Sequence, residues 1–146
     1  MPPAIDIEST SVHTYLGLLQ TVINRMAANS SACKNWCITL VSAILAIIAA
    51  QDGKPEYVAV AAVPVILFLF LDCYYLALGK LFRAIYDEFV DTVHAERAKP
   101  SDLFLMMRST SKRVGFCELI NAVRSLSIWP FYGLLGVMVV MGWWMI

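Results

Sequence analysis

Asp72 is the only acidic residue inside an otherwise apolar run, and a lone carboxylate there must be paired, solvated or neutralised. Its ionised form costs on the order of 3 kcal/mol at the centre of a bilayer, so its depth decides what it can do. The candidate partners are Lys34, through an ion pair, and Asn35, through a hydrogen bond. Such a contact would either fix the register of two helices or line the inner mouth of a pore.

A second polar pattern runs through Ser31, Asn35, Thr39 and Ser42 and continues in Ala46 and Ala49. These recur at three or four residues, so one helical face is small and polar while Ile38, Leu45 and Ile48 point elsewhere. In lipid that face must meet protein or water. Two readings stand: close helix packing, or the wall of a water-filled pore built by several copies. Gly133, Gly136 and Gly142 would likewise permit close helix approach further along the chain.

A third cluster, Arg108, Ser109, Thr110, Ser111, Lys112 and Arg113, sets three cations and three hydroxyls at an expected helix start. Cationic side chains, hydroxyls and free backbone N–H groups together suit phosphate oxygens. If the following helix stands upright, Arg113 lies roughly 20 Å from the membrane, beyond a Debye length of about 10 Å. A soluble anionic ligand is then favoured. If the helix lies flat, lipid headgroups take its place.

Conventional catalytic chemistry is thin. His13 and His94 are far apart in sequence and fall on partly solvent-facing helices. No GxSxG, HExxH or Gly-rich phosphate loop occurs, and no cofactor is implied. Cys33 and Cys37 lie one helical turn apart, as small buried hydrophobes or a shared metal pair, the former being the ordinary use. The expectation is a protein that is not an enzyme.

The elements that must position these residues follow from hydrophobicity. Of 146 residues, 60% are apolar and 15% charged, which excludes a disordered tail, and 11 basic residues balance 11 acidic ones, which excludes the usual basic nucleic-acid scaffold. Four cysteines without paired short spacings fit a reducing compartment. Trp36 to Ala50 and Tyr57 to Leu71 carry no charge, and Gln51 to Glu56 between them concentrates three charges with Gly and Pro. That is a membrane hairpin with a wet turn. Leu126 to Ile146 is 21 uncharged residues, long enough to cross unaided, with Pro130 tolerated in its first turn. The expected division is a cytosolic N-terminal helix over 1–35, the hairpin over 36–78, a cytosolic helical region over 79–125 and a third crossing over 126–146. Met1 to Thr10, with Asp6 and Glu8, lacks the basic region of a cleavable signal.

Eight of the 11 basic residues fall between Gly79 and Ser125, two precede the first crossing and only Lys54 sits in the turn. The positive-inside rule then places the N-terminus in the cytoplasm, the turn outside and the C-terminus in the periplasm of an inner membrane. Trp36, Tyr74, Tyr75 and Trp129 fall near the inner boundary, and Tyr57, Trp143 and Trp144 near the outer one. Counting equal steps from the turn sets Asp72 level with Asn35, at the inner interface. Tyr15, Leu16, Leu19, Val22, Ile23 and Met26 give the first cytosolic helix its apolar stripe, with Ser9 to Ser11 as cap candidates. Leu78, Phe82, Ile85, Tyr86, Phe89 and Val93 do the same beyond the second crossing. Both cytosolic helices should be continuous with the membrane helices, and Lys99-Pro100-Ser101-Asp102 is the clearest stop.

The run Asn24-Arg25-Met26-Ala27-Ala28-Asn29-Ser30, then Cys33-Lys34-Asn35-Trp36 into a short hairpin, then Asp72-Cys73-Tyr74-Tyr75-Leu76 to Phe82-Arg83 and Tyr86, resembles small membrane effectors of bacterial antiphage defence. Their helix, hairpin and helix plan is of the SLATT type, and the channel subunits of Hailong-type systems are similar. The likeness covers residues 12 to 95, and the third crossing departs from the plain two-crossing pattern. The resemblance implies a homo-oligomeric channel controlled by a nucleotide or DNA oligomer from a partner nucleotidyltransferase, whose opening depolarises the cell.

The resulting expectation is an all-α, three-crossing membrane protein that self-associates in lipid and conducts ions under control of its cytosolic helices. The alternatives are a non-conducting scaffold or accessory subunit, and a lipid-directed enzyme in which His13, His94 and Asp72 would have to converge.

Overall fold

A computed structural model of the chain describes residues 9–50, 55–95, 125 and 127–145. Within them all regular structure is helical, in two long apolar helices and a shorter one. Helix α1 runs unbroken from Thr10–Ala50, 41 residues or about 62 Å. No proline interrupts it, and Ser9 caps it: the Val12 N–H donates to the Ser9 carbonyl at 3.0 Å and the His13 N–H to the same oxygen at 3.3 Å. The 3-10 helix Pro55–Ala61 leads into α2, Ala62–His94, with Pro64 in the first turn of α2, where a missing N–H costs no hydrogen bond. Helix α3, Trp129–Met145, follows a turn in which the Ile128 and Trp129 N–H groups donate to the Ser125 carbonyl.

Both long helices run without a break through the boundaries expected from sequence, since neither Arg25 to Trp36 nor Leu78 to Phe89 contains an interruption. Two details differ from the sequence reading. The start of the second apolar run is wound as a 3-10 helix, and α3 spans 17 residues, about 25 Å, rather than the 21 expected of 126–146. The Ser125 carbonyl is satisfied by a turn, and Pro130 favours the first turn of a helix, so α3 begins at Trp129. The turn residues 51–54 and the region 96–124, including the expected stop at Lys99 and the Arg108 to Arg113 cluster, lie outside the described residues.

Helices α1 and α2 pack antiparallel along most of their length. Register is set at several heights. Tyr15 meets Phe89 edge to face at 4.8 Å between ring centroids. A Cβ added at Gly79 would lie 3.6 Å from the Met26 Cβ. Near the other end the Cys37 thiol approaches the Pro64 carbonyl at 3.9 Å. One core, Val12, Tyr15, Leu19, Ile85, Phe89 and Val93, joins the two ends the sequence assigns to the cytosol. The second, around Cys37, Val41, Cys73 and Ala77, receives Tyr132 and Leu135 from α3 and Ile128 from the turn before it. The helical stripes expected from spacing alone are thus the ones that pack: Tyr15, Leu19 and Ile23 on α1, and Ile85, Phe89 and Val93 on α2, are all buried.

Much of the remaining surface toward the turn and on α3 is apolar, whereas Gln20, Asn24, Arg25, Lys80, Arg83, Asp87 and Glu88 are exposed at the other end of the hairpin. Trp36, Leu40 and Ile47 on α1, Val63, Ile66, Leu67 and Phe70 on α2, and Leu134, Val137, Met141 and Trp144 on α3 are all exposed. Exposed large apolar side chains in such number mark surfaces that meet a membrane or another protein chain. Length and composition make α1 and α2 able to cross a membrane.

Candidate functional site

Asp72 is the one charged side chain wholly removed from solvent among the described residues, with 0% exposure. It lies on the inward stripe of α2 beside Cys73, where α1, α2 and α3 converge. Lys34 comes from α1 and sets its Nζ 2.6 Å from Asp72 Oδ2. This contact is an ion pair rather than an aligned hydrogen bond. The Ser30 hydroxyl donates to Asp72 Oδ1, and Lys34 Nζ also donates to Ser30 Oγ at 3.2 Å. Ser30 and Lys34 are one helical turn apart, so a single face of α1 offers both groups to one carboxylate.

The third helix closes the site. Tyr132 is 6% exposed in the core that also holds Cys37 and Cys73, and its hydroxyl has no hydrogen-bond partner. Ser30, Lys34 and Asp72 therefore form one small polar island between two apolar layers, with Tyr132 packed in the core beside Cys73. A buried pair of this kind is stable only when both charges are present, because removing either strands the other.

The ion pair matches the Lys34 partner named for Asp72 from sequence. The Asn35 alternative does not form: Asn35 is exposed, and its carbonyl accepts from the Thr39 hydroxyl at 2.9 Å. The proposed pore-lining group divides. Ser31, Asn35, Thr39 and Ser42 are all exposed on α1, whereas the buried stripe of that helix runs through Ser30, Cys33, Cys37 and Val41. At 100° per residue the two stripes lie on roughly opposite sides of α1. Asp72 belongs to the inner side, so within one chain it does not join the seam. Gly133 and Gly136 also meet nothing, since a Cβ at either would have no neighbour within 4 Å. Of the three glycines only Gly142 makes a close approach, 3.4 Å from its added Cβ to Leu45 Cδ2.

Ser30 and Tyr132 are two buried polar side chains that spacing did not reveal. The signal for Ser30 was its position one turn before Lys34. For Tyr132 it was a hydroxyl one turn into an apolar helix, where such a group needs a partner.

The island offers little to nucleophilic chemistry. A serine beside a lysine is a known nucleophile and base pairing, but here the lysine ammonium is engaged by Asp72 and the serine proton points at the same carboxylate. His13 and His94 are both exposed and are not brought to Asp72. Among the described residues no three His, Cys, Asp or Glu side chains group so as to hold a metal. Cys33, Cys37 and Cys73 are free thiols, all buried.

Comparison with protein families, curated proteins and solved structures finds no match to this chain.

Proposed function

We propose that the chain is the subunit of a homo-oligomeric membrane channel, with α1, α2 and α3 as three crossings of a bacterial inner membrane. The carrying observation is the polar seam of Ser31, Asn35, Thr39 and Ser42, exposed on a helix whose other uncovered side chains from Trp36 to Ala50 are apolar. Neither α2 nor α3 covers it, and hydrocarbon is a poor solvent for the Asn35 amide and the Ser31 and Ser42 hydroxyls. Copies arranged around an axis with these seams facing inward would give each seam the water it needs. Lys34 and Asp72 then serve the hairpin from inside the subunit, holding α1 and α2 in register.

The distribution of basic residues supports an N-terminus in the cytoplasm and a C-terminus in the periplasm. Control falls to the cytosolic part, where Arg108, Ser109, Lys112 and Arg113 would bind an anionic nucleotide or DNA oligomer supplied by a partner nucleotidyltransferase. Gating is a shift between two conformations for which that ligand has different affinities. The role in antiphage defence rests on the resemblance of residues 12 to 95 to SLATT-type effectors.

The test is reconstitution. Purified protein in sealed liposomes should collapse an imposed ion gradient in one regulatory state. Vesicles that stay tight in every state, with the protein a monomer by cross-linking, would leave the non-conducting scaffold as the correct reading.

A further inference from the structure

Exposed aromatic rings form two belts around the helices. Trp36 on α1, Tyr74 on α2 and Trp129 on α3 make one, and Tyr57 in the 3-10 helix with Trp143 and Trp144 on α3 makes the other. The register of the helices sets their heights. Tyr57 shares a groove with Ile47 and Ile48 of α1, and the approach of Gly142 to Leu45 puts Trp143 and Trp144 level with about Ile47. These three rings therefore lie at one height. Back along α3 from the same contact, Trp129 is level with about Ala32, and the Tyr15–Phe89 and Met26–Gly79 contacts set Tyr74 level with about Ser30. The mean separation of the two belts is about 14 residues of α1, or roughly 21 Å.

Amphipathic rings seat at the headgroup level of a bilayer. The surface changes at these belts as well. Between them the exposed large side chains are hydrocarbon, among them Leu40, Ile66, Phe70 and Met138, and no exposed charge occurs there among the described residues. On the far side of the first belt, no large apolar side chain is exposed between Arg25 and Trp36 or between Tyr74 and Lys80. Arg25 and Lys80, the first exposed charges, stand about 12 Å beyond the rings. The apolar cover thus ends at the rings rather than at the charges. The hydrocarbon core of a typical bilayer is about 30 Å thick, and tilt only shortens the thickness a helix spans. The apolar band falls short of that core by roughly 9 Å.

We propose that this chain is fitted to a thin bilayer and gathers short-chain phospholipids around its helices, with the two ring belts marking its hydrocarbon boundaries. This rests on the membrane crossings of the reading above and not on conduction. A helix surface too short for its bilayer thins the lipid around it, and short acyl chains lower the cost of that thinning. An apolar band that reached to Arg25 and Lys80 would instead span roughly 33 Å and fit ordinary lipid unstrained.

The experiment reconstitutes the full chain in phosphatidylcholine vesicles and reads quenching of its tryptophans by brominated phosphatidylcholines of different chain length, in competition. Dimyristoleoyl phosphatidylcholine should bind at the helix surface about threefold more strongly than dioleoyl, the scale of the elastic penalty for several ångströms of mismatch. Dierucoyl should bind more weakly still. Equal binding of all three, or strongest binding of dioleoyl or dierucoyl, overturns the proposal. Trp36→Ala, Tyr74→Ala and Trp129→Ala combined remove one belt at exposed positions and leave Trp143 and Trp144 as fluorophores. In that variant the preference should move to dioleoyl. A preference that stays with the short chains there overturns the rings as the boundary. Tryptophans that no brominated lipid quenches would overturn the membrane crossings themselves, and the fit to a thin bilayer with them.

Discussion

Lys34 Nζ stands 2.6 Å from Asp72 Oδ2, joining the two long helices through opposite charges sealed between apolar layers. The lysine keeps a path outward, at 18% side-chain exposure, whereas the carboxylate has none. That asymmetry makes Asp72 the more dependent partner.

Removing Lys34 alone, as Lys34→Met, should therefore destabilise the hairpin by about 3–5 kcal/mol, because Asp72 is left charged without a counter-ion. Restoring neutrality with Lys34→Met and Asp72→Leu together should recover most of that loss. Unfolding by denaturing detergent, read by circular dichroism, gives both values. Equal losses in the single and double variants would exclude the pair as the source.

The seam predicts which positions meet in the assembly. Cysteine at Ser42 or Thr39 should cross-link subunits into a ladder, while cysteine at Ile66, exposed on the apolar face of α2, should not. Thr39→Leu should lower ion flux while leaving the Lys34–Asp72 pair, on the far side of α1, intact. Denaturing gels and gradient collapse measure the two effects.

At the end distant from the turn, Phe89 packs on Tyr15 within a core of six buried residues. Phe89→Ala should cost about 3–5 kcal/mol there. Because α1 and α2 remain joined at Asp72, the damage should be local. Hydrogen exchange is expected to quicken over residues 12–23 and stay slow near Cys37.

Burial pushes the Tyr15 phenol above its ordinary value of 10.0. Its neutral form is the one the fold favours, so its contribution is complete below about pH 10, where the unfolded chain also holds the proton. It falls as pH rises through the folded value. Thermal unfolding should show this alkaline loss in the native chain, and Tyr15→Phe should flatten it.

Arg108→Ala with Arg113→Ala should weaken binding of an anionic nucleotide or DNA oligomer by at least about tenfold, two charge-assisted contacts being lost. Fluorescence anisotropy with a labelled oligodeoxynucleotide tests it. Binding that is equally strong in the double variant would place the ligand elsewhere.

The sequence made the hairpin legible because its signals were isolated ones. A single carboxylate in an apolar run has few polar groups to choose from, so its candidate partners narrow to Lys34 and Asn35, of which the structure pairs it with Lys34. The stripes of Tyr15, Leu19 and Ile23 and of Ile85, Phe89 and Val93 were equally plain, because polar residues on the other faces break the pattern. Ser30 was obscured by Ser31, its neighbour, since two adjacent serines point to different sides of a helix and only packing says which is inside. Tyr132 was obscured for a different reason. Helix α3 is apolar on every side, so periodicity carries no phase, and which of its faces meets the hairpin is a property of tertiary contact alone.

The unbroken course of α1 has a mechanical consequence. A helix without proline or hinge tilts as one stiff lever, and the Lys34–Asp72 pair is its natural fulcrum. Thr10 lies about 36 Å to one side of Lys34 and Ala50 about 24 Å to the other. A tilt of about 5° would then carry the first end sideways by roughly 3 Å and the second by roughly 2 Å in the opposite sense. A push at the Thr10 tip thus arrives at the far tip reversed and reduced by about a third.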